Sequence, residues 1–382
     1  MKEAKSEHRI RIAIVHDWYV WSGGAERVIE ALLELFPEAD LFALVDFYAD
    51  EERRRFLKGK RVETTFIQKL PFARKHFRNY LPLFPLAIEQ LDLKGYDLVI
   101  SSSHAVAKGV KTHPGQLHIS YCYTPMRYAW EMEEEYFRDY RISGIKRAVL
   151  RYAFHRFRIW DVASLPRVDR FVAISEHVAR RIRRYYGRDS ELIYPPVDTE
   201  RFSFCKEKED YYLTVSRLVP YKKVDLIVET FVRNGRKLRV VGKGPQLEEL
   251  RKKAKGSPHV EILGALDDDA VVEMMRHARA FIYAAYEDFG IVPVEAMACG
   301  TPVIAYGEGG VRESVREGVD GIFFHRQTVE SLQAAIDSFE KRRFDHHEIS
   351  RRAKEFGREC FMDTIKRLID KSLNKESKCM KA

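Results

Sequence analysis

The sequence predicts an α/β protein made of two Rossmann-like domains. Two series of short apolar segments, each typical of a buried strand, alternate with segments whose apolar residues recur at helical spacing. The pair Pro195-Pro196 lies between the two series and is typical of a linker. The first strand is followed by Gly23-Gly24 and then by a helix, which is how a Rossmann-like unit begins. We therefore expect an N-terminal domain, a C-terminal domain and a final helix with a frayed tail, over residues 1–195, 196–360 and 361–382.

Each predicted strand is a short apolar run that ends at turn residues. In the first series these runs are Arg9–Val15, Leu41–Val45, Val62–Ile67, Asp97–Ser101, Leu117–Tyr121 and Arg170–Ile174. In the second series they are Tyr212–Val215, Leu238–Val241, Val260–Leu263, Ala280–Ala285, Pro302–Tyr306 and Gly321–Phe324. Helical spacing predicts the helices Ala25–Leu35, Ile145–Trp160, His177–Tyr186, Asp267–Met275, Val294–Cys299, Val329–Phe339 and Ala353–Leu373. The last helix is expected to cross back to the first domain.

The composition fits a globular protein, and the cysteine pattern argues against stabilisation by disulfides or by zinc. Hydrophobic residues make up 45% and charged residues 32% of the 382 residues, enough for two buried cores. The five cysteines are scattered and odd in number, without a Cys-x2-Cys spacing. That pattern argues against a disulfide framework and against a structural zinc site.

Positive charge is concentrated in one part of the chain. The whole sequence has 66 Lys and Arg against 57 Asp and Glu, a net charge of +9, whereas residues 138–188 alone have 14 against 4. A basic zone of this kind is suited to nucleic acid, anionic lipid or a phosphorylated substrate. It includes the predicted amphipathic helix, in which basic residues flank one apolar side formed by Ile145, Val149, Leu150, Ala153, Phe154, Phe157 and Trp160.

Two earlier segments, residues 53–58 and 69–85, also mix basic residues with Phe, Leu and Tyr. Cations among lipid headgroups with aromatic rings below them would suit an anionic membrane surface. A solvated face with buried aromatic side chains explains the pattern equally well, so both interpretations stay open. No apolar run reaches the roughly 18 residues that span a bilayer, and Met1–Arg9 lacks the apolar region of a signal peptide. We expect a cytoplasmic protein, either dissolved or peripheral on the inner face of the membrane.

The turn Glu287–Gly290, followed by a helix, predicts a binding site for a nucleotide sugar. A helix N-terminus offers N–H groups and a positive dipole end to an anion, and Gly290 lets a ligand approach the backbone. Glu295, expected in the first helical turn, is suited to accept hydrogen bonds from a ribose diol, and Glu287 from a second polyol. The alternative interpretation is a carboxylate that caps its own helix.

Basic residues and glycines follow the strands of the second series. Arg217 and Lys222 come after one strand and are suited to hold a diphosphate from two sides. Gly242 opens a Gly-x-Gly turn that lacks the Gly-Lys-Ser/Thr of a nucleotide-hydrolysing loop. The acidic run Asp267–Asp269 is interpreted as charge at a helix N-terminus, so neither a metal ion nor another cofactor is predicted.

In the first domain, His104 and Tyr123 follow the ends of two predicted strands. Ligands of open parallel sheets bind beyond the carboxyl ends of strands, so both positions are candidates. His104 is suited to polarise a hydroxyl or to hold a phosphate, and a helix-capping or structural histidine is the alternative. Gly23 and Gly24 either admit a phosphate or sugar close to the backbone or simply form a tight turn.

The frame Glu287-Asp-Phe-Gly-Ile-Val-Pro-Val-Glu295-Ala-Met-Ala-Cys-Gly-Thr-Pro-Val resembles the signature of family 4 retaining glycosyltransferases. The order Arg-x4-Lys, Gly-x-Gly and Glu-x7-Glu strengthens that resemblance, which extends over residues 10–365. It implies the GT-B fold, two Rossmann-like domains facing a central cleft. Tyr-Cys-Tyr123-Thr-Pro-Met-Arg-Tyr further resembles O-antigen-type mannosyltransferases within the family.

The resemblance also implies roles for individual residues. The pyrophosphate of the donor would be bound by Arg217, Lys222 and the N–H groups near Phe289, Gly290 and Ile291, while Gly23-Gly24 faces the donor. Glu287 would orient the donor sugar. Many members have a histidine in place of Tyr123 that contacts this sugar, so this chain departs from the pattern and His104 becomes the alternative.

The implied reaction is retaining transfer of a sugar, with mannose from GDP-mannose as the expected donor. The expected acceptor is a lipid-linked saccharide or another precursor in lipopolysaccharide or polysaccharide biosynthesis. Two other functions remain open: a nucleotide-sugar 2-epimerase of the same architecture, and a basic nucleic-acid-binding protein. The epimerase's acid and base carboxylates are not evident, and no standard nucleic-acid-reading motif accompanies the basic zone, so no nucleic-acid partner is expected.

Overall fold

The computed structural model describes residues 10–20, 23–139 and 142–379. The chain divides into two compact units, named here the N-terminal unit (Met1–Ile193 with Met362–Ala382) and the C-terminal unit (Tyr194–Phe361). Each unit has its own parallel sheet, with helices between its strands. The predicted α/β class with two such domains is therefore confirmed. Arg9, the first residue of the first predicted strand, lies outside the described residues, as does the rest of Met1–Arg9.

Seven parallel strands form the sheet of the N-terminal unit. They are β1 (Ile12–His16), β2 (Asp40–Ala43), β3 (Val62–Thr64), β4 (Leu98–Ser103), β5 (Leu117–Cys122), β6 (Arg170–Ala173) and β7 (Ser190–Leu192). Their order across the sheet is β3-β2-β1-β4-β5-β6-β7, and neighbouring strands are parallel throughout. The strand order changes direction between β1 and β4, where Val15 lies opposite Ser101. In open parallel sheets, ligands bind beyond the carboxyl ends of the two strands at such a point.

Six parallel strands form the sheet of the C-terminal unit. They are β8 (Tyr212–Val215), β9 (Leu238–Val241), β10 (Val260–Gly264), β11 (Ala280–Tyr283), β12 (Val303–Tyr306) and β13 (Gly321–Phe324). Their order is β10-β9-β8-β11-β12-β13, again parallel throughout. Here the order changes direction between β8 and β11, where Leu213 lies opposite Phe281. By the same principle, a ligand is expected to bind beside the segments that follow β8 and β11.

The helices connect these strands as crossover connections of parallel sheets require. In the N-terminal unit they are α1 (Gly24–Leu35), α2 (Asp50–Leu57), α3 (Ala73–His76), α4 (Phe84–Ile88), α5 (Arg127–Trp130), α6 (Glu133–Asp139), α7 (Gly144–Ala163) and α8 (Glu176–Tyr186). In the C-terminal unit they are α9 (Val224–Asn234), α10 (Leu247–Ala254), α11 (Asp268–His277), α12 (Ile291–Ala298), α13 (Val311–Ser314), α14 (Val329–Glu340) and α15 (His346–Ala353). The short 3₁₀ helices among the described residues are Phe66–Lys69, Phe77–Leu83, Ala107–Gly109, Leu165–Arg167, Pro220–Lys222 and Lys354–Phe356.

The last helix, α16 (Arg358–Cys379), begins in the C-terminal unit and belongs to the N-terminal unit from Met362 onwards. This confirms the predicted return of the C-terminal helix to the first domain. Its buried residues Ile365 and Leu368 are 1% and 5% exposed, so this face of the helix is part of a packed interior. Residues 380–382 of the predicted tail lie outside the described residues.

The central strands have both faces buried, which explains why apolar residues predominate in them and why their polar side chains, such as Ser102 and His118, are hydrogen-bonded. Every residue of β4, β5 and β11 is buried. Each unit has its own apolar cluster, including Val15, Val99 and Phe84 in the N-terminal unit, and Val240 and Ile304 in the C-terminal unit. Burial of such side chains is the main favourable term in the stability of each unit.

Helix α7 is amphipathic, but its apolar residues do not share one side as predicted. Phe154 and Phe157 are buried, whereas Ile145 and Val149 are 85% and 61% exposed. The prediction is therefore wrong for the latter two residues. At 100° per residue, Ile145 and Val149 fall within an arc of about 80° that also contains Tyr152 and Ile159, on the outward side.

A buried ion pair links α7 to the 3₁₀ helix Ala107–Gly109. Lys108 is 1% exposed, and its Nζ lies 2.7 Å from Oδ1 of Asp161, which is fully buried. The same ammonium donates to the carbonyl oxygen of Asp161 and to Oγ of Ser164, each at 3.0 Å. Trp130 Nε1 and the Tyr186 hydroxyl donate to the other carboxylate oxygen at 2.8 and 2.9 Å. These bonds join segments from four helices at one point.

Within residues 69–85, some aromatic side chains are buried and one is exposed, so each of the two interpretations left open by the sequence finds partial support. Phe77 and Phe84 are buried beside Trp18, with ring centroids 5.4 and 6.2 Å from it, which agrees with a solvated face above buried aromatic rings. Phe72, by contrast, is 81% exposed. Over the described parts of the chain, no helix combines the length and the apolar character needed to cross a bilayer.

Candidate functional site

In the C-terminal unit, Arg217 and Lys222 follow the carboxyl end of β8, beside the change of strand order. The Ser216 amide donates to the Val241 carbonyl at 3.0 Å, which holds the start of this segment against β9. Arg217 donates from Nη2 to the Tyr221 hydroxyl at 2.7 Å. Lys222 ends the 3₁₀ helix Pro220–Lys222 and forms an ion pair with Glu287. The structure thus brings together two of the predicted site residues from the two strands at this point.

The Gly-x-Gly turn after β9 packs directly against the segment that carries Arg217. A Cβ atom on Gly242 would lie 1.8 Å from the Ser216 carbonyl oxygen, and one on Gly244 would lie 2.3 Å from that of Leu218. Both glycines also have positive φ angles, +147° and +159°. Glycine is therefore required here by contact with the protein's own backbone. The predicted contact between Gly242 and the donor stays a prediction.

The turn after β11 has Glu287 at its centre. Its carboxylate accepts hydrogen bonds from Lys222 and from the Tyr283 hydroxyl, and its carbonyl oxygen accepts from the Gly310 amide at 2.9 Å. Burial, and then the negative charge of Glu287, raise the pKa of Tyr283 well above its ordinary value. Tyr283 is therefore a neutral donor, and Glu287 is held between a hydroxyl and an ammonium group.

Helix α12 begins at Ile291, three residues before the predicted start at Val294. Gly290 precedes it with a φ angle of +89°, a backbone conformation that favours glycine. Pro293 is the third helical residue, where its missing N–H still costs no helical hydrogen bond. The predicted anion-binding end, with Gly290 and Ile291, is thus the amino end of an eight-residue helix.

Two predicted residues of this segment are more enclosed than the sequence suggested. Glu295 is the fifth residue of α12, so its predicted place in the first turn is wrong, and it is 5% exposed. Phe289 is 3% exposed and packs between the rings of Tyr194 and Phe356, with centroids 5.4 and 5.7 Å away. The side chain of Phe289 therefore stabilises the turn, and only its backbone is suited to face a ligand.

In the N-terminal unit, a buried carboxylate organises the segment that contains His104. Asp17 follows β1, is fully buried, and accepts four backbone N–H groups at 2.6–2.9 Å, those of His104, Ala105, Val106 and Ala107. The same carboxylate lies 3.1 Å from Nδ1 of His104. Five hydrogen-bond donors thus converge on one side chain at the change of strand order between β1 and β4.

Burial and the contact with Asp17 determine the protonation state and the tautomer of the His104 ring. The imidazole is 27% exposed and lies edge-on to Trp18, with ring centroids 4.6 Å apart. Burial lowers the pKa of His104, and the nearby Asp17 carboxylate offsets this effect only in part. The ring is therefore neutral at neutral pH, with its proton on Nδ1 towards Asp17, which leaves Nε2 as a hydrogen-bond acceptor.

Tyr123 connects the end of β5 to the glycine pair. Its hydroxyl donates to the Ala25 carbonyl at 3.1 Å and lies 2.8 Å from Ser102 Oγ, and burial raises its pKa well above the ordinary value. Ser102 is in turn bonded to Nδ1 of the buried His16 at 3.0 Å. Gly24 is the first residue of α1, with Gly23 as its N-cap. The structure therefore brings Tyr123 next to the Gly23-Gly24 turn and to His104, whose ring centroid is 6.2 Å away.

Sequence reasoning missed Asp17, His16, Ser102 and Tyr283. The available signal for Asp17 was an acidic residue directly after an apolar strand, at a position that parallel sheets use for ligands. The acidic run after β10 behaves as predicted, because Asp267 caps α11 by accepting the Ala270 amide at 2.8 Å. Within the described part of the chain, no group of three or more His, Cys, Asp and Glu side chains is arranged to hold a metal ion. The absence of a metal cofactor stays a prediction.

Two family models match the chain. The one described as Glycosyltransferase Family 4 matches residues 22–201, and the one described as Glycosyl transferases group 1 matches residues 197–358. The two matches meet at the junction between the N-terminal and C-terminal units.

Among similar proteins is a D-inositol 3-phosphate glycosyltransferase of Geodermatophilus obscurus, 33% identical over an alignment of 207 residues that covers 46% of this chain and 46% of that protein. Another is the GDP-mannose-dependent alpha-(1-6)-phosphatidylinositol monomannoside mannosyltransferase of Mycobacterium tuberculosis. It is 31% identical over 195 residues, 43% of this chain and 50% of the relative. The chain thus spans about half the length of the curated relatives it matches.

A solved structure with the same fold is that of Anabaena HepE in complex with UDP-glucose. The TM-score is 0.67 at 18% identity, with 94% of this chain and 99% of the other covered. At this identity the likeness concerns the fold, which the two parallel sheets already indicate. Both halves of the chain match glycosyltransferase family models. The chain therefore belongs to the family 4 glycosyltransferases of the GT-B fold.

Proposed function

We propose that the protein transfers a sugar, with retention of anomeric configuration, from a nucleotide diphosphate sugar to a lipid-linked saccharide or another polysaccharide precursor. GDP-mannose is the proposed donor. The observation that carries the proposal is the pairing of Lys222 with Glu287 where the strand order of the C-terminal unit changes direction. Arg217 follows the same strand as Lys222, and the amino end of α12 follows the turn at Glu287.

This cluster is suited to the charge that develops during the reaction. When the bond between the anomeric carbon and the diphosphate breaks, negative charge grows on the departing phosphate oxygen. Lys222, Arg217 and the N–H groups near Phe289–Ile291 would stabilise that charge from fixed positions. Because these groups already provide positive potential, we propose that transfer needs no metal ion or other cofactor.

In this proposal Glu287 first positions Lys222 and then orients the donor sugar. Its ion pair holds the Lys222 side chain in place, with the two side chains 13% and 24% exposed. A bound pyrophosphate offers the ammonium group a more highly charged partner. Glu287, still bonded to Tyr283, is then available to orient hydroxyls of the donor sugar. Attack by the acceptor, assisted by the departing phosphate, would give retention without a covalent intermediate on Glu287.

The N-terminal unit contributes uncharged groups in this proposal. Neutral His104 presents Nε2 as an acceptor for a sugar hydroxyl, because Asp17 holds the proton on Nδ1. The Tyr123 hydroxyl is engaged with Ala25 and Ser102, which favours His104 over Tyr123 for the sugar contact. The Gly23-Gly24 turn beside them leaves the backbone open to close approach by a ligand.

Two properties of a relative support the choice of donor and acceptor. The Mycobacterium tuberculosis mannosyltransferase is GDP-mannose-dependent and acts on a phosphatidylinositol monomannoside, a lipid-linked sugar. That relative matches this chain over 43% of its length, so donor and acceptor are proposed here on similarity together with the cationic cluster.

A thermal-shift screen of GDP-, UDP- and ADP-sugars tests the donor. GDP-mannose at about 100 times its Kd is expected to raise the Tm by about 5–10 °C, because a ligand that binds only the native state stabilises it in proportion to occupancy. Stronger stabilisation by a UDP-sugar would overturn the choice of GDP-mannose while leaving the reaction class intact. If no nucleotide sugar shifts the Tm, the proposed function is wrong.

Glu295→Gln is expected to weaken nucleotide binding about 10-fold or more, since a hydrogen bond from a ribose hydroxyl to a charged acceptor contributes about 1.5–3 kcal/mol. Calorimetric titration with GDP measures the change, and the Tm of the free variant checks that it is folded. Glu248→Gln is the matched control, because this side chain is 73% exposed on α10. Equal affinity of the two variants would contradict the ribose assignment.

A further inference from the structure

The outward side of α7 is an apolar face that the described residues of the N-terminal unit leave exposed. Ile145, Val149, Tyr152 and Ile159 are 85%, 61%, 66% and 50% exposed. They follow one another at spacings of four, three and seven residues, which places them on one stripe about 21 Å long. The opposite side of the same helix is anchored in the core by Phe154 and Phe157. The helix therefore presents two apolar sides, of which only one is buried.

The outward stripe is bordered by positive charge. Lys146 and Arg156 are exposed, and Arg156 lies within the stripe between Tyr152 and Ile159. Arg147 and Arg151 also belong to this helix and bond to Glu134 of α6. Long basic side chains can extend their apolar stems along such a surface while their charged ends reach anionic groups. The surrounding residues 138–188 carry 14 Lys and Arg against 4 Asp and Glu.

We propose that this face of α7 docks the protein onto an anionic lipid surface, with the apolar side chains among the upper acyl chains and the cations among the headgroups. An exposed apolar stripe with basic residues at its borders has the chemistry of a helix lying in a membrane interface. The proposal rests on the proposed function in one respect, since a lipid-linked acceptor is presented at such a surface.

The positive charge of this face favours an anionic lipid surface over a second copy of the chain as its partner. An isologous contact through α7 would bring the basic residues of the two copies, Lys146 and Arg156 among them, close to one another, and like charges in an interface oppose association. Anionic headgroups instead complement them, and each basic residue adds to the attraction. The face also differs from residues 69–85, for which the sequence left membrane contact open, because Phe77 and Phe84 of that segment are buried.

Cosedimentation of the full chain with lipid vesicles tests the proposal. Vesicles of phosphatidylcholine with about one third phosphatidylglycerol are expected to bind the protein at least about 10-fold more tightly than phosphatidylcholine alone, and less so at high salt. Val149→Asp with Ile159→Asp is expected to lower binding to the anionic vesicles about 10-fold or more, because it places two carboxylates in the inserted stripe. The matched control, Val232→Asp with Val319→Asp, changes two valines of the C-terminal unit that are 37% and 43% exposed, and should bind like the original protein.

Circular dichroism and the donor-induced rise in Tm show whether each variant is folded and binds nucleotide. The proposal is overturned if the unchanged protein binds neither kind of vesicle or both equally, or if the α7 variant binds as tightly as the control. It is also overturned if light scattering shows a dimer that the α7 variant dissociates while vesicles bind neither protein. Vesicle binding that depends on α7, together with no response to any nucleotide sugar, would instead count against the proposed function alone.

Discussion

Lys222→Ala is expected to lower kcat by about 10²-fold or more, in line with the loss of a group that stabilises charge in the transition state. The ammonium group would face the departing phosphate, and its ion pair with Glu287 positions it before the donor binds. Steady-state kinetics with saturating donor measures the effect. The free variant should keep its Tm within a few degrees, because an ion pair that is partly exposed contributes little to folding stability.

Lys252→Ala provides the matched control for this measurement. Lys252 is an exposed lysine on α10, so its replacement removes the same charge from the same unit without touching the Lys222–Glu287 pair. This control should retain its kcat. Near-normal turnover by the Lys222 variant, or an equal loss in both variants, would show that Lys222 does not stabilise the departing phosphate.

Lys108→Ala is expected to lower the stability of the N-terminal unit by about 3–5 kcal/mol, because it leaves a buried carboxylate without its cation. Asp161 would keep its hydrogen bonds from Trp130 and Tyr186 but lose the ammonium group at 2.7 Å. Calorimetry should show a lower unfolding temperature, and two transitions if the two units unfold separately.

The control for this second effect is Lys111→Ala, three residues further along the chain. Lys111 is 59% exposed and lies 3.7 Å from Glu89, so its loss should cost no more than about 1 kcal/mol. Similar unfolding temperatures for the two variants would contradict the importance of the buried pair. The Lys108 variant also tests whether the segment with His104 depends on this anchor, since Lys108 follows it directly.

The sheets were largely predictable because parallel strands buried on both faces are rich in apolar residues. Tyr212–Val215, Leu238–Val241 and Gly321–Phe324 have the predicted bounds. The edge strand β7 was missed, since Ser190–Leu192 offers only one apolar residue in a three-residue strand. A partly exposed strand lacks the apolar run by which the central strands were predicted.

Side-chain pairing in the site was less predictable than the positions of the residues. Lys222 and Glu287 are separated by 65 residues, and they meet because β8 lies next to β11 in the sheet. Helical periodicity likewise could not assign Ile145 and Val149 to the outward side of α7, because apolar residues occur on both sides of that helix. The predicted start of α12 at Val294 was three residues late, because Pro293 is accommodated inside the first helical turn.

The hydrogen bonds from residues 104–107 to Asp17 limit the kind of ligand that the N-terminal unit can bind at the end of β1. Four consecutive backbone N–H groups that converge on one point form a concave array, of the kind that receives a phosphate in many nucleotide-binding proteins. In this chain the array of residues 104–107 already surrounds a carboxylate of the protein itself. An incoming phosphate would meet a buried negative charge there, whereas an uncharged sugar would not. In the proposed reaction, the negatively charged part of the substrate would therefore be turned away from the end of β1, and uncharged hydroxyls would be favoured beside His104.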